Sequence, residues 1–531
     1  MHIKRFQTPP LAIHSIANFL ILSILFAIGY SQSPLYTSNQ NQYFLHGLAA
    51  AGYGNLSQDW LANTLDPTPV FSKLVEVTHR YLHQHSIFYV YYALLMGIYL
   101  FSLTGIANTL FGLRDSRPKF MLFTALFLAI HSAGLRFGLS RWLGVNWAYV
   151  LEDGVADQRM LGPVFQPSVF GVFLALSLYA FIQRKPYLAL LAAAIAVAFH
   201  PTYLLSAAIL TLTYALVDWM EERRLAIPIG YGVVAMLFVS PMLYDVITKF
   251  GSTSPEIASR AREILAFARI PHHALASQWF DATVIVKLAL VAAAISLIPY
   301  RGRRQTQVSP QNSAWRLGMT LLIMSLASAL LSLYQVITRN QALALLFPWR
   351  LSILIVPLST TLILAYLVDR VFDTQAAKPA YRNRLINLLS TSLLFLVVLV
   401  GGIRFWLELA RQAEEPELAL YSYVYTHKSQ DDIYLIPIKM QNFRLETGAS
   451  IWVDFKSIPY KDSELLEWHR RLRLAEQFYD YADCALLTRL ASQERISHVV
   501  LPLNMPHLPC PGLRELYRDQ NYLLASQLPA R

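Results

Sequence analysis

Several groups of polar side chains interrupt an otherwise apolar chain. The first lies in Leu56-Ser57-Gln58-Asp59-Trp60-Leu61 and in Thr64-Leu65-Asp66-Pro67. Asp59 and Asp66 are candidate catalytic carboxylates. Structural readings stand beside both: Asp59 in the first turn of a predicted helix capped by Ser57 complements the helix dipole, and Asp66 before Pro67 suits a turn. A second group, Glu152-Asp153-Gly154-Val155-Ala156-Asp157, puts three carboxylates within six residues. All-oxygen ligands suit Mg²⁺ or Mn²⁺, and a solvated acidic turn has the same composition. His79, His83 and His85 bring a helical spacing that zinc could use, without a third ligand in proper register.

Cations form the third group. Arg136, Arg350 and Arg404 lie within or at the edge of apolar runs, with His200 and Arg339 just outside such runs and Arg159 in the second acidic stretch. An arginine in hydrocarbon is costly and faces a cavity or a partner, or snorkels to the interface. Arg136, Arg159, His200, Arg339 and Arg350 converging at one membrane face would suit a phosphate or diphosphate headgroup through bidentate, charge-assisted bonds. Lys287 and His131 lie deeper in apolar runs, either as interhelical partners or as site residues.

The elements that must position these groups are membrane spans. The chain has 531 residues, 55% hydrophobic and 15% charged, where a soluble protein carries about a quarter charged. The apolar residues fall in runs long enough to cross a hydrocarbon core about 30 Å thick. Eleven spans are predicted, near 11–30, 87–112, 120–139, 167–183, 187–199, 202–217, 226–244, 282–300, 315–337, 347–367 and 385–406. The first is read as a span and not a cleaved signal, because Ile28-Gly29-Tyr30-Ser31 is a poor cleavage site. The fifth is short and breaks at His200-Pro201, so it and the sixth form a tight pair or a re-entrant element.

Lysine and arginine set the orientation. The connections 1–10, 114–119, 184–185, 218–225, 301–314 and 368–384 hold 16 in 57 residues, and the alternate connections hold 9 in 131. The first set is predicted cytoplasmic, which places the amino terminus inside and the carboxy terminus outside. The net charge of +11 is explained by this topology. With no single basic face in the sequence, nucleic acid is not an expected partner; the lipid bilayer is.

After Arg404 the composition becomes that of a small α/β unit. Strands are predicted at Asp432–Ile438, Ser450–Phe455, Ser497–Leu503 and near 522–528, with helices at Asp462–Asp480 and near 483–493. The chain's two cysteines, Cys484 and Cys510, both fall here. In an oxidising compartment such a pair forms a disulfide; the other reading is two buried thiols. The predicted fold class is therefore an all-α polytopic membrane domain, 1–406, with long outer loops at 31–86, 140–166 and 245–281, followed by an extramembrane α/β domain, 407–531.

This organisation resembles the GT-C superfamily of integral membrane glycosyltransferases. The resemblance covers the whole architecture and rests on Asp59 and Asp66 in the first outer loop and on Glu152, Asp153 and Asp157 in the second. The stretches Gly162-Pro163-Val164-Phe165-Gln166-Pro167-Ser168, Phe199-His200-Pro201-Thr202-Tyr203 and Val453-Asp454-Phe455-Lys456 also look like those of uncharacterised bacterial membrane proteins. The family's pattern usually has an acidic residue soon after the first span, where this chain reads Asn39-Gln40-Asn41-Gln42; either Asp59 takes that role or catalysis is altered or lost.

The resemblance implies an inner (plasma) membrane enzyme with a periplasmic or extracellular carboxy-terminal domain. It would move sugar from a polyprenyl-phosphate or diphosphate donor to a glycan, lipid or protein acceptor. Asp59 is the expected general base, with Arg136, Arg350 and His200 stabilising the departing phosphate and a metal on the second loop sharing that work. The alternatives are a non-catalytic scaffold on the same frame, or a transporter or flippase, which calls for inverted repeats and polar midplane residues.

Overall fold

The computed structural model describes residues 11–251, 253–302, 310–372, 380–505 and 510–527. Several of the lysines and arginines that set the predicted orientation lie outside the described residues. The fold is mostly helical, with apolar helices through residue 413 and one small sheet in the carboxy-terminal region.

Each predicted apolar run is helical, but the count of eleven spans does not hold. Six helices among the described residues are long and apolar enough to cross a membrane: Ile87–Phe111, Pro201–Glu222, Ala226–Phe250, Ser313–Thr338, Ser352–Phe372 and Tyr381–Ala413. Arg117–Ile130 and Ala133–Leu143, bent by 48° at their junction, make a seventh if taken as one span. Pro167–Ile182 and Pro186–Phe199 fall short, while the apolar helices Leu11–Tyr30 and Ala282–Gly302, 20 and 21 residues long, are not among the six. The reason is rise per residue: at 1.5 Å each, a fourteen-residue helix such as Pro186–Phe199 reaches only about 21 Å of a core about 30 Å thick. Pro201 ends that helix at His200, as its sequence requires.

The last long helix runs unbroken through Ala413, so the carboxy-terminal unit begins a few residues beyond 407. Its five strands are β1 (Ile433–Leu435), β2 (Ser450–Ile451), β3 (His498–Pro502), β4 (Leu513–Arg518) and β5 (Tyr522–Gln527), in the order β2-β1-β3-β5-β4. β1 runs parallel to β2 and β3, while β5 is antiparallel to β3 and β4. Helices Asp462–Tyr481 and Cys484–Glu494 cover one face, burying Trp468, Leu472 and Phe478 with Trp452 and Val499. Helix Leu418–His427 covers the other through Leu420 and Val424. β1 and β2 are shorter than predicted. Pro437 cannot donate to a ladder, and the chain after Ile451 leaves the sheet to carry Asp454 into a buried ion pair.

The carboxy-terminal domain docks on the connections predicted to be outer loops. Gln42 Nε2 donates to Ile458 O at 2.9 Å, its Oε1 accepts from Ile458 N, and Asn41 Nδ2 donates to Asn442 Oδ1 at 2.8 Å. Gly54 and Gly448, both at positive φ, meet so closely that a Cβ on Gly54 would lie 2.4 Å from Gly448 O. The 245–281 connection closes the assembly. Thr253 Oγ1 donates to Asp462 Oδ2 at 2.6 Å, and Ala261 and Ile264 enter the domain core. Loops 31–86, 140–166 and 245–281 therefore share one face of the protein with this domain.

Candidate functional site

The carboxylates singled out by sequence are mostly consumed in structure. Asp59 is wholly buried. Its Oδ1 accepts from Leu61 N (2.9 Å) and Ala62 N (3.3 Å), and its Oδ2 from Arg444 Nε (2.9 Å) and Ile451 N (3.0 Å). Arg444 also bonds Asp454 Oδ2 at 2.6 Å. The triad Asp59–Arg444–Asp454 locks the first loop to the carboxy-terminal domain. Both Asp59 oxygens are occupied, so in this arrangement it does not meet a substrate hydroxyl, and the general-base role expected of it is not supported by its geometry. Asp66 holds the turn expected of it, its Oδ1 accepting from Thr68 N at 2.9 Å.

The carboxylates of the second acidic run are paired with cations. Glu152 Oε1 pairs with Arg136 Nη1 at 3.3 Å; Asp153 pairs with Lys287 Nζ at 2.8 Å and Arg159 Nε at 3.0 Å; Asp157 pairs with Arg159 Nη2. Burial raises both the Glu152 and Asp153 carboxyls, against the pull of these cations. Among the described residues no group of three or more His, Cys, Asp or Glu side chains is placed to hold a metal ion. The expected Mg²⁺ or Mn²⁺ set therefore does not fit, because its anionic oxygens already face guanidinium and ammonium groups. His79 and His85 stack edge to face, ring centres 5.0 Å apart, beside Tyr53. Cys484 and Cys510 are bonded to each other, Cα atoms 5.3 Å apart.

The expected cation cluster divides. Arg136 is a structural tie: its guanidinium lies 3.9 Å from the Tyr30 ring centre and bonds His131 O, Tyr30 O and Glu152. Arg159 lies 3.7 Å from the Tyr149 ring. Arg404 pairs with Glu408 one turn along its helix. Arg339 is exposed at a helix end, with φ of 52°. Arg350 and His200 do come together, in company that sequence reasoning missed.

Arg350 is buried, packed 4.8 Å from the Tyr203 ring centre and 5.6 Å from Phe347. Its charge reaches His200 and His273. Arg269, from the 245–281 loop, donates Nη2 to Lys456 O at 2.7 Å and lies 5.1 Å from the Phe455 ring. Tyr43 from the first loop packs on His200 at 5.9 Å, and its hydroxyl stands 3.5 Å from that of Tyr460. Tyr460 feels both Arg269 and Arg350. Four connections and the carboxy-terminal domain thus meet at one place on the shared face. The stretches Gln166–Ser168, His200–Tyr203 and Asp454–Lys456 all contribute, with Tyr203 donating to Ser168 O at 2.5 Å.

The electrostatics of this place differ from the rest of the molecule. Buried Lys119, Lys287, Arg136, Arg316 and Arg444 each have a carboxylate partner. Among the described residues Arg269, Arg350 and Lys456 have none. Burial lowers Arg269 and, with Arg269 beside it, brings the Lys456 ammonium down to about 8. Burial and Arg350 hold His200 far below its ordinary range, and burial with His272 takes His273 to about 4. His273 Nδ1 contacts Ala156 O at 2.7 Å; with the proton there, Nε2 is an acceptor. Buried Arg350 Nε, Arg269 Nε, His200 Nδ1 and Thr202 Oγ1 have no hydrogen-bond partner. Asp454 attracts both Arg269 and Lys456 but is itself bonded to Arg444, and cations and unsatisfied donors in excess of the carboxylates make a seat for an anion.

Comparison with curated proteins returns no match. A family model described as a domain of unknown function (DUF6798) matches residues 415–475, a segment that spans helix Leu418–His427, β1, β2 and most of helix Asp462–Tyr481 and includes Arg444, Asp454, Lys456 and Tyr460.

Proposed function

We propose that this chain is a membrane glycosyltransferase that moves a sugar from a polyprenyl-phosphate or diphosphate donor to an acceptor at the outer face. In this reading the protein lies in the plasma (inner) membrane, amino terminus cytoplasmic and carboxy-terminal domain periplasmic or extracellular. One observation carries it: Arg269, Arg350 and Lys456 are gathered at the shared face with no carboxylate partner among the described residues. Such a set answers the negative charge that develops on a departing phosphate.

The step balances as an inverting displacement. The acceptor hydroxyl oxygen attacks the anomeric carbon and its proton passes to a carboxylate. The bond from that carbon to the phosphate oxygen breaks with its electron pair staying on the phosphate. Asp157 replaces Asp59 as the base in this scheme: its Oδ1 pairs with Arg159, and its Oδ2 is the oxygen offered to the acceptor hydroxyl. Its side chain is 57% exposed, its charge reaches His272 and His273, and it sits with Ala156 in a left-handed turn, a strained geometry common at working sites.

The second reading, a non-catalytic scaffold, draws on the use of Asp59, Asn41 and Gln42 in docking the carboxy-terminal domain. Transfer of radiolabelled sugar from polyprenyl-phosphate donors in membranes separates the two. The enzyme reading expects transfer that falls at least about a hundredfold in Arg350→Gln and Asp157→Asn, each with unchanged membrane abundance. Undiminished transfer in Arg350→Gln would overturn the anion seat. Absence of transfer by the parent protein with every donor tried would leave the scaffold.

A further inference from the structure

Between the third predicted span and the second acidic stretch lies a patch of exposed apolar side chains that the anion seat does not use. Helix Ala133–Leu143 and the turn after it carry Phe137 at 65% exposure, Trp142 at 86%, Leu143 at 54% and Val145 at 76%. Every residue from Arg141 to Asn146 is exposed. The carboxy-terminal domain, in contrast, exposes its large apolar side chains singly, at Tyr425, Phe455 and Tyr481. Scattered exposure is ordinary for a surface in water, whereas a close-set apolar patch marks a place that meets a partner or a membrane.

Two contacts fix the height of this patch. Arg136, one residue before Phe137, bonds the carbonyl of Tyr30, the last residue of the apolar helix Leu11–Tyr30. At the other end, Asn146 Nδ2 donates to Asp281 Oδ2 at 3.0 Å, and Asp281 Oδ1 accepts from Thr283 N at 2.9 Å, at the start of the apolar helix Ala282–Gly302. The patch is therefore level with the ends of two apolar helices, where hydrocarbon gives way to headgroups. The apolar helix Arg117–Ile130 leads up to it, and the 48° bend that follows turns residues 133–143 away from the axis of that helix. Ser132 Oγ starts the new direction by accepting from Leu135 N at 3.1 Å. Continuity with an apolar helix, height and composition together name a lipid surface as the occupant.

We propose that Phe137–Val145 is an interfacial anchor whose apolar side chains enter the boundary between headgroups and acyl chains, on the side of the membrane that carries the carboxy-terminal domain. The Trp142 indole has the amphipathic shape found at that level, and Arg141 beside it reaches lipid phosphates while its stem stays in the apolar layer. The chain runs from the anchor directly into Glu152 and Asp153, so the anchor sets the depth of the second acidic stretch relative to the headgroups. It does not depend on what the anion seat binds.

Cys484 and Cys510 are bonded to each other, so a single introduced cysteine takes a spin label alone. The test uses the full-length chain, one copy per phosphatidylcholine nanodisc, labelled in Trp142→Cys or Val145→Cys, where the exposed side chain can be replaced without loss of packing. Reference sites are Tyr481→Cys on the carboxy-terminal domain, 75% exposed, and Leu396→Cys within helix Ala380–Ala413, 53% exposed. Collisions with oxygen, which concentrates in hydrocarbon, and with a nickel chelate, which stays in water, read depth. The ratio of oxygen to nickel collisions at 142 and 145 is expected to exceed that at 481 by about fivefold or more and to stay below that at 396. A ratio equal to that at 481 puts the patch in water, and a label shielded from both reagents puts it against protein; either overturns the anchor. A ratio matching that at 396 also overturns it, because the segment would then belong to a span. If 396 itself reads as water, the membrane reading is wrong and the anchor falls with it.

Discussion

Replacing Asp59 with Asn separates a catalytic carboxylate from a docking one, because the two roles predict opposite outcomes. Asp59 is fully buried and accepts four hydrogen bonds, two per oxygen: Leu61 N and Ala62 N on one, Arg444 Nε and Ile451 N on the other. Asparagine keeps the volume but turns one oxygen into a donor. With its NH₂ toward Arg444 it opposes a guanidinium N–H and the Ile451 N–H. Flipped, it opposes two backbone N–H groups. No rotamer escapes, so two bonds are lost whichever way the amide sits. Hydrogen bonds involving a charged partner contribute about 1.5–3 kcal/mol each, and leaving a buried guanidinium half-paired is costly in the same range. The expected loss is roughly 3–5 kcal/mol, offset in part by Asp454, which still holds Arg444.

For a unit the size of the carboxy-terminal domain that corresponds to a fall in melting temperature of roughly 10 °C or more. Purified full-length protein melted in detergent, with trypsin cleavage of the carboxy-terminal domain followed in parallel, reads the change directly. Transfer activity should fall only in step with the folded fraction. If Asp59→Asn melts and resists trypsin like the parent yet loses all transfer, the carboxylate works on substrate and the docking argument is refuted.

Lys456 titrates at about 8 in the free protein because burial and Arg269 disfavour its charge; a bound anion favours it. Phosphate affinity is then full below that pH and falls as pH rises through it, and Lys456→Gln flattens the dependence in calorimetry. Gly54→Ala puts a methyl 2.4 Å from Gly448 O at a φ of +54° and should release the carboxy-terminal domain to trypsin, whereas alanine at open Gly138 should not. Reduction of Cys484–Cys510, which closes a loop with a separation of 26 residues, should cost about 3 kcal/mol, visible as an earlier melt with reductant that Cys484→Ser with Cys510→Ser reproduces without it.

The sequence was informative where one local signal decides an element. Apolar runs became helices, and Pro201 ended one where a missing N–H must end it, whereas the strand expected through Ile438 stops at Leu435, short of Pro437. The amphipathic pattern from Leu465 to Leu472 marked the helix that covers the sheet. The span count failed where an apolar run folds into a helix too short to cross, as in Pro186–Phe199. β4 was missed because Leu513-Arg514-Glu515-Leu516-Tyr517-Arg518 carries four charged or aromatic exposed-type residues on an edge strand, with a register shift that breaks its alternation. Of the site, Arg350 and His200 were legible as cations at span ends. Arg269 and Lys456 were not, since each looks like an ordinary loop charge until the fold places them 187 positions apart along the chain and in contact. The usable signal was indirect: two of the short stretches that carry the resemblance, 199–203 and 453–456, supply His200, Tyr203, Asp454 and Lys456.

Pairing explains why the misread carboxylates and the missed cations belong to one account. Acidic residues near membrane invite a catalytic reading because a lone buried carboxylate is expensive, but Asp59, Glu152 and Asp153 each met a cation, which removes the expense and with it the reactivity. The same rule applied to cations selects Arg269, Arg350 and Lys456. Burial first, and then the like charge of Arg269, disfavour the Lys456 ammonium and bring it down to about 8, with Asp454 pulling the other way. A fold that keeps this arrangement gives up stability that one uncharged substitution would restore. Arg269→Gln should therefore raise the melting temperature of the ligand-free protein while weakening phosphate binding, and a variant that lost stability together with binding would mean that the cluster is held by partners other than an absent anion.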